Sequence, residues 1–137
     1  MKPIQTIFLS LLFSLLFFGC DDKLSSEETV YSGTFTVTYT NEDGTQRTRS
    51  GPVKLELRQD GKYFCSGNSD CIPAGGSGTY SLKGGEIIFN DENFWTADFD
   101  WNLILNGEYT FTMEGKRLHL SANKNNVGHY AYDLVRE

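Results

Sequence analysis

The chain is poor in the residues that usually carry chemistry. Its 137 residues include only three cysteines and two histidines. No tetrahedral metal set can be assembled, because neither His119 nor His129 stands near a cysteine pair. No Ser or Cys is recognisably paired with either histidine as nucleophile with base, so neither an enzyme nor a cofactor is expected. Basic residues are in deficit: 12 Lys and Arg stand against 18 Asp and Glu, a formal net charge of −6. An acidic surface repels phosphate backbones, which argues against a nucleic-acid partner. Internal repeats and low-complexity tracts are absent, and no segment of useful length shows helical spacing. The longest apolar run, residues 4–18, is about 15 residues, short of the roughly 20 needed to cross hydrocarbon.

That run has the length of a signal-peptide core and follows the single charge Lys2. It ends Leu16-Phe17-Phe18-Gly19-Cys20. This resembles a lipobox, in which signal peptidase cuts after a small residue and leaves a diacylated cysteine. Residues 1–19 are therefore expected to be a lipoprotein signal peptide, with lipidated Cys20 tethering the protein to a membrane. An ordinary secretory signal or an uncleaved anchor is the competing reading. Residues 20–29 are polar, acidic and aperiodic, as a flexible tether should be. The Asp21-Asp22 start resembles the surface-export signal of Bacteroidetes-type lipoproteins; in enterobacteria an Asp there would suggest inner-membrane retention. The expectation is the cell envelope, in the outer membrane, with surface exposure left open.

Five residues separate Cys65 from Cys71. Outside the cytoplasm such a pair is expected to oxidise, and a disulfide would pin the Gly/Ser/Asn loop between them. Two free thiols are the alternative.

Residues 30–137 alternate with period two almost throughout. Tyr31, Phe35, Val37 and Tyr39 share one face, while Ser32, Thr34, Thr36 and Thr38 share the other. Asn41-Glu42-Asp43-Gly44 is a hairpin turn. Thr45 to Ser50 returns as a polar strand, and Gly51-Pro52 punctuates it. Val53, Leu55 and Leu57 then point inward, and Asp60-Gly61 turns into Lys62 to Ser66. Gly84-Gly85, Asn106-Gly107 and Gly115-Lys116 mark further turns, and a short helical turn near Asp91 to Trp95 is allowed. About eight short strands with local connections predict an all-β fold. An antiparallel up-and-down barrel is favoured because closure removes exposed edges; a β-sandwich is the alternative.

Three stretches carry a family resemblance: Leu55-Glu56-Leu57 through Asp60-Gly61 to Tyr63-Phe64; Gly78-Thr79-Tyr80-Ser81-Leu82 through Gly84-Gly85 to Ile87-Ile88-Phe89; and Tyr109-Thr110-Phe111 through Leu118-His119-Leu120 to Tyr132-Asp133-Leu134. Together they resemble the small lipocalin-like lipoproteins of Bacteroidetes. Ser32-Gly33-Thr34 stands where lipocalins carry Gly-x-Trp. The resemblance implies a barrel, sometimes with a small-molecule cavity.

Tyr63, Tyr80, Trp101, Tyr109, Phe111, Tyr130 and Tyr132 are expected to line the interior at least in part. An eight-stranded barrel is either just filled by side chains or holds one ligand. Core packing and a pocket for a small hydrophobic molecule are thus both open, as is contact with an envelope protein through loops 66–78 and 90–98. The acidic-aromatic segment 91–102 reads as a strand with its acids in water and its aromatics inside. Its carboxylate spacing falls short of a calcium loop, which needs Gly and Glu where Leu103 and Tyr109 stand. His119 and His129 are expected on the surface. Gly75-Gly76-Ser77-Gly78 opens no helix, so it reads as a loop rather than a phosphate cradle.

Overall fold

The computed structural model describes residues 28–137 apart from Ala97 and Val127. The expected signal peptide, the lipidation site Cys20 and most of the tether lie outside the described residues. Eight strands form a closed antiparallel barrel in chain order, with the last pairing to the first. They are β1 (Thr29–Thr40), β2 (Gln46–Leu57), β3 (Lys62–Cys65), β4 (Gly76–Lys83), β5 (Glu86–Asp91), β6 (Gly107–Glu114), β7 (Arg117–Lys124) and β8 (Gly128–Arg136). The barrel thus begins at Thr29, one residue before the boundary read from the sequence, and Thr29 is already buried.

Period-two patterning places the core as physical chemistry requires. On β6, Tyr109 is buried, Phe111 and Met113 are half-buried, and Thr110, Thr112 and Glu114 face water. On β7, Leu118 and Leu120 are buried between exposed or half-exposed neighbours. Among the described residues, large side chains including Tyr31, Phe35, Tyr109, Leu118, Leu120, Tyr130 and Tyr132 are less than 2% exposed. The barrel is therefore filled with protein rather than hollow.

Rings knit that filling together. Tyr63 meets Phe89 at 4.8 Å between centroids, Phe89 meets Tyr109 at 5.9 Å, Tyr109 meets Tyr132 at 5.8 Å, and Tyr132 meets Phe35 at 4.7 Å. Edge-to-face and tilted pairs of this kind contribute beyond the area they bury.

Several features differ from the sequence expectation. Gly76, Ser77 and Gly78, read as loop, instead open β4 and pair with Cys65, Phe64 and Tyr63 of β3. Gly51-Pro52 does not break β2, which runs through it with Pro52 opposite Thr34. The glycine is there for a different reason: a Cβ on Gly51 would lie 1.9 Å from the carbonyl oxygen of Ile72, so only hydrogen lets that loop press against the strand. Cys65 and Cys71, expected as a disulfide, are both free thiols. Strand alternation turns Cys65 into the core beside Tyr63, where burial pushes its thiol up to about 12. In the following loop it is Ile72, not Cys71, that enters the core; Cys71 stays half-buried at the rim with φ +54°.

The connections divide unequally between the two ends. Residues 58–61, 84–85 and 115–116 are tight turns at one end, where β1 begins and β8 finishes. Residues 41–45, 66–75, 92–106 and 125–127 lie at the other. There the outer part of β2, Gln46 to Ser50, is exposed on both faces, and Arg47 and Arg49 guard its open edge against strand addition.

Closure of the barrel depends on Gly33, because a Cβ there would lie 1.9 Å from the backbone oxygen of Asp133 on β8. Gly33→Ala is expected to lower the unfolding free energy by about 2–4 kcal/mol, read from the urea midpoint. An unchanged midpoint would show that the seam is looser than drawn.

Candidate functional site

The two longest connections close the loop-bearing mouth. They run alongside each other: Ala74 N–H donates to the carbonyl of Leu103 at 3.0 Å, and Leu105 N–H donates to that of Gly75 at 2.8 Å. Tyr63 reaches up from the core and donates its hydroxyl to the Leu105 carbonyl at 2.6 Å. Ile72, Leu103 and Leu105 point down as a stopper and join the core.

The connection from 92 to 106 is held to the barrel by one carboxylate. Asp100 caps a 3-10 turn, Trp101–Leu103, by accepting from the Asn102 N–H at 3.0 Å. Its other oxygen accepts from the hydroxyls of Tyr39 at 2.7 Å and Tyr130 at 2.9 Å. Partial burial works to raise its pKa, but the hydrogen bonds from Tyr39, Asn102 and Tyr130 outweigh it and hold the carboxyl below its ordinary value. This reverses the expected strand over 98–102. Three residues per turn breaks the period of two, so Asp100 turns inward and Trp101 outward.

Lys124 completes the rim. It sits on the inward parity of β7, after Leu118, Leu120 and Ala122, at the point where the strand leaves the core. Its ammonium lies 4.7 Å from the Tyr109 ring centroid and 5.6 Å from that of Tyr130, and it donates to the Asn106 carbonyl at 2.8 Å. Contact with ring faces favours the cation. Desolvation nevertheless brings the amine down to about 8, against the opposing pull of Asp100.

Beside these groups lies an open groove of about 440 Å³, bordered by Trp101, Asn102, Asn106, Glu108, Asn123, Lys124 and Asn125. Trp101 is 58% exposed. Of the groove's carboxamides, Asn106 already accepts from the Asp91 N–H at 2.9 Å and Asn123 is bonded to His129 at 2.8 Å through their oxygens, which leaves their NH2 groups as donors.

The seven aromatics expected to line an interior pocket are not all brought together. Tyr63, Tyr109, Tyr130 and Tyr132 are buried and pack as core. Tyr80 is half-buried and donates its hydroxyl to the Arg58 carbonyl at the tight-turn end, while Phe111 packs half-buried at the edge of the core. Trp101 lies outside the barrel, a correction that follows from the 3-10 turn beneath it. The two buried hydroxyls of Tyr109 and Tyr132 interact with each other but reach no partner in full hydrogen-bond geometry, and burial drives both phenols upward in pKa.

The other signals of the sequence lead elsewhere. Asp91, set on β5 rather than in a helical turn, accepts from the backbone of Ser77, the Asn93 amide and the Trp95 indole, a saturated structural knot. His119 pairs with Asp133 at 2.7 Å on the outer wall, and His129 pairs with Asn123 at 2.8 Å. Among the described residues, no group of three or more His, Cys, Asp or Glu is placed to hold a metal ion. Comparison with protein-family models, with curated proteins and with solved structures finds no match for this chain.

The clamp on Asp100 makes the mouth sensitive to acid. Because folding lowers this pKa, its stabilisation is complete above the ordinary carboxylate value near 3.8 and is lost as pH falls through the lower folded value. Asp100→Asn should cost about 1–3 kcal/mol at neutral pH by weakening charge-assisted hydrogen bonds. It should also flatten the acid limb of a stability–pH profile; an unaltered limb would show that the clamp is not set by this carboxylate.

Proposed function

We propose that this chain is a lipid-anchored protein of the cell envelope, most readily of the outer membrane, whose filled lipocalin-like barrel is a rigid scaffold for the contact surface at its loop-bearing end. The observation that carries the reading is the packed interior, where the largest side chains are all but inaccessible and the mouth is stoppered by Ile72, Leu103 and Leu105. A filled barrel has no room for cargo, so recognition falls to the surface.

Polarity of the fold supports the same reading. A tether ending at Thr29 enters at the tight-turn end, and β1 runs from there toward the long connections. A barrel held through Cys20 would thus offer residues 66–75 and 92–106 away from the membrane. The anchor itself rests on the lipobox-like residues ending at Cys20.

Carriage of a small hydrophobic molecule is favoured by one observation, the buried hydroxyls of Tyr109 and Tyr132, which have only each other and no partner in full hydrogen-bond geometry. A buried polar atom without a partner is costly, and a ligand or a water could satisfy both.

Two measurements separate these readings. Cys20→Ser should abolish labelling by radioactive palmitate and release the protein from the membrane fraction; retention of label would remove the anchor from the account. The full chain in mild detergent should show no saturable displacement of a fluorescent fatty acid by unlabelled fatty acid, whereas one-site displacement would favour carriage over the filled scaffold.

A further inference from the structure

We propose that the groove between Trp101 and Lys124 is a binding site for a neutral pyranose oligosaccharide. The inference deepens the reading of the loop-bearing end as the contact surface and names what it contacts.

The chemistry of the groove selects the ligand. A sugar ring has two unlike aspects: a face of C–H bonds and a rim of hydroxyls, each both donor and acceptor. Recognising it takes a flat, electron-rich surface with forked hydrogen-bonding groups around it. Trp101 supplies the surface, since the negative face of an indole attracts the weakly positive hydrogens of a C–H array. Asn102 and Asn125 border the same groove with carboxamides that can pair with hydroxyls as donor and acceptor at once, while Asn106 and Asn123, whose oxygens are held by the Asp91 N–H and by His129, add NH2 donors. Glu108 and Lys124 add one acceptor and one donor of opposite charge.

The platform is held in advance of binding. Trp101 opens a 3-10 turn whose cap, Asp100, is fixed by two tyrosine hydroxyls and a backbone N–H. Lys124, which borders the same groove, is held by the Asn106 carbonyl and by two ring faces. Asn125 and its neighbour Asn126 sit in the left-handed region with φ of 56° and 53°, so the turn beside the groove has a defined shape. Groups already ordered lose little entropy when a ligand arrives.

Alternative occupants fit less well. An apolar chain would leave the surrounding carboxamides unsatisfied. A polyanion would approach a chain of net charge −6 and meet Glu108 in the groove. A neutral sugar meets neither penalty.

The chain has two tryptophans, which makes the test direct. Trp95 is half-buried with its indole N–H on Asp91, so the exposed Trp101 reports on the groove. The full chain in mild detergent would be titrated with maltohexaose, cellohexaose and chitohexaose while indole emission is followed. The expected result is saturable change with at least one of the three, at about millimolar concentration or below. Trp101→Ala should weaken that binding by about tenfold or more, read by calorimetry, while Trp101→Tyr keeps most of it. Asn102→Ala should weaken it as well, with the melting temperature of each variant unchanged. No saturation with any of the three sugars, or affinity that survives Trp101→Ala, would overturn the proposal. Capture of a protein partner that is lost in Trp101→Ala, without sugar binding, would also overturn it; the scaffold reading would stand in that case and would fall only with the fatty-acid result above.

Discussion

The middle of this closed eight-stranded barrel is filled, and rings do much of the filling. Such a cylinder is just wide enough for side chains from opposite walls to meet. The chain of contacts from Tyr63 through Phe89, Tyr109 and Tyr132 to Phe35 crosses the interior and ties β3, β5, β6, β8 and β1 into one body. Strand closure, burial of the mouth and rigidity of the rim all depend on this filling.

From that constraint follows a separation of roles between the ends. At one end the strands turn tightly and the chain enters and leaves. At the other, residues 66–75 and 92–106 bind each other's backbone and lower Ile72, Leu103 and Leu105 into the core. Tyrosines at the top of the core keep their hydroxyls for the rim: Tyr39 and Tyr130 hold Asp100, and Tyr63 holds the Leu105 carbonyl. The same rings thus pack downward and position the surface above. Such polar tips on apolar bodies are what tyrosine offers that phenylalanine cannot.

Much of this was legible in the sequence because a strand has a period of two wherever it lies. The inward sets Tyr31, Phe35 and Val37, then Leu118 and Leu120, can be read without knowing their partners, and Asp60-Gly61 announces its turn. What escaped was set by contacts distant in sequence. Gly51-Pro52 looks like punctuation until Ile72, about twenty residues on, is seen to lean on the glycine. Nothing local tells that Asp100 will turn toward Tyr39 and Tyr130, which leaves Trp101 on the outside. Cys65 and Cys71 are close along the chain, yet alternation buries one while the loop carries the other over the rim. Lys124 was missed although a signal existed: it continues the parity of Leu118, Leu120 and Ala122, so its amine was bound to emerge where the core meets water. A long side chain is suited to that place, with its stem in apolar surroundings and its charge at the boundary.

The central claim is that the barrel interior is occupied by its own side chains. Xenon enters apolar cavities large enough to hold it, and adds little to an interior that is already packed. Methyl resonances of Leu55, Leu118, Leu120 and Leu134, recorded as xenon pressure is raised, read this directly. The account predicts only small, linear drifts at all four; saturable shifts shared among them would reveal a cavity and contradict it.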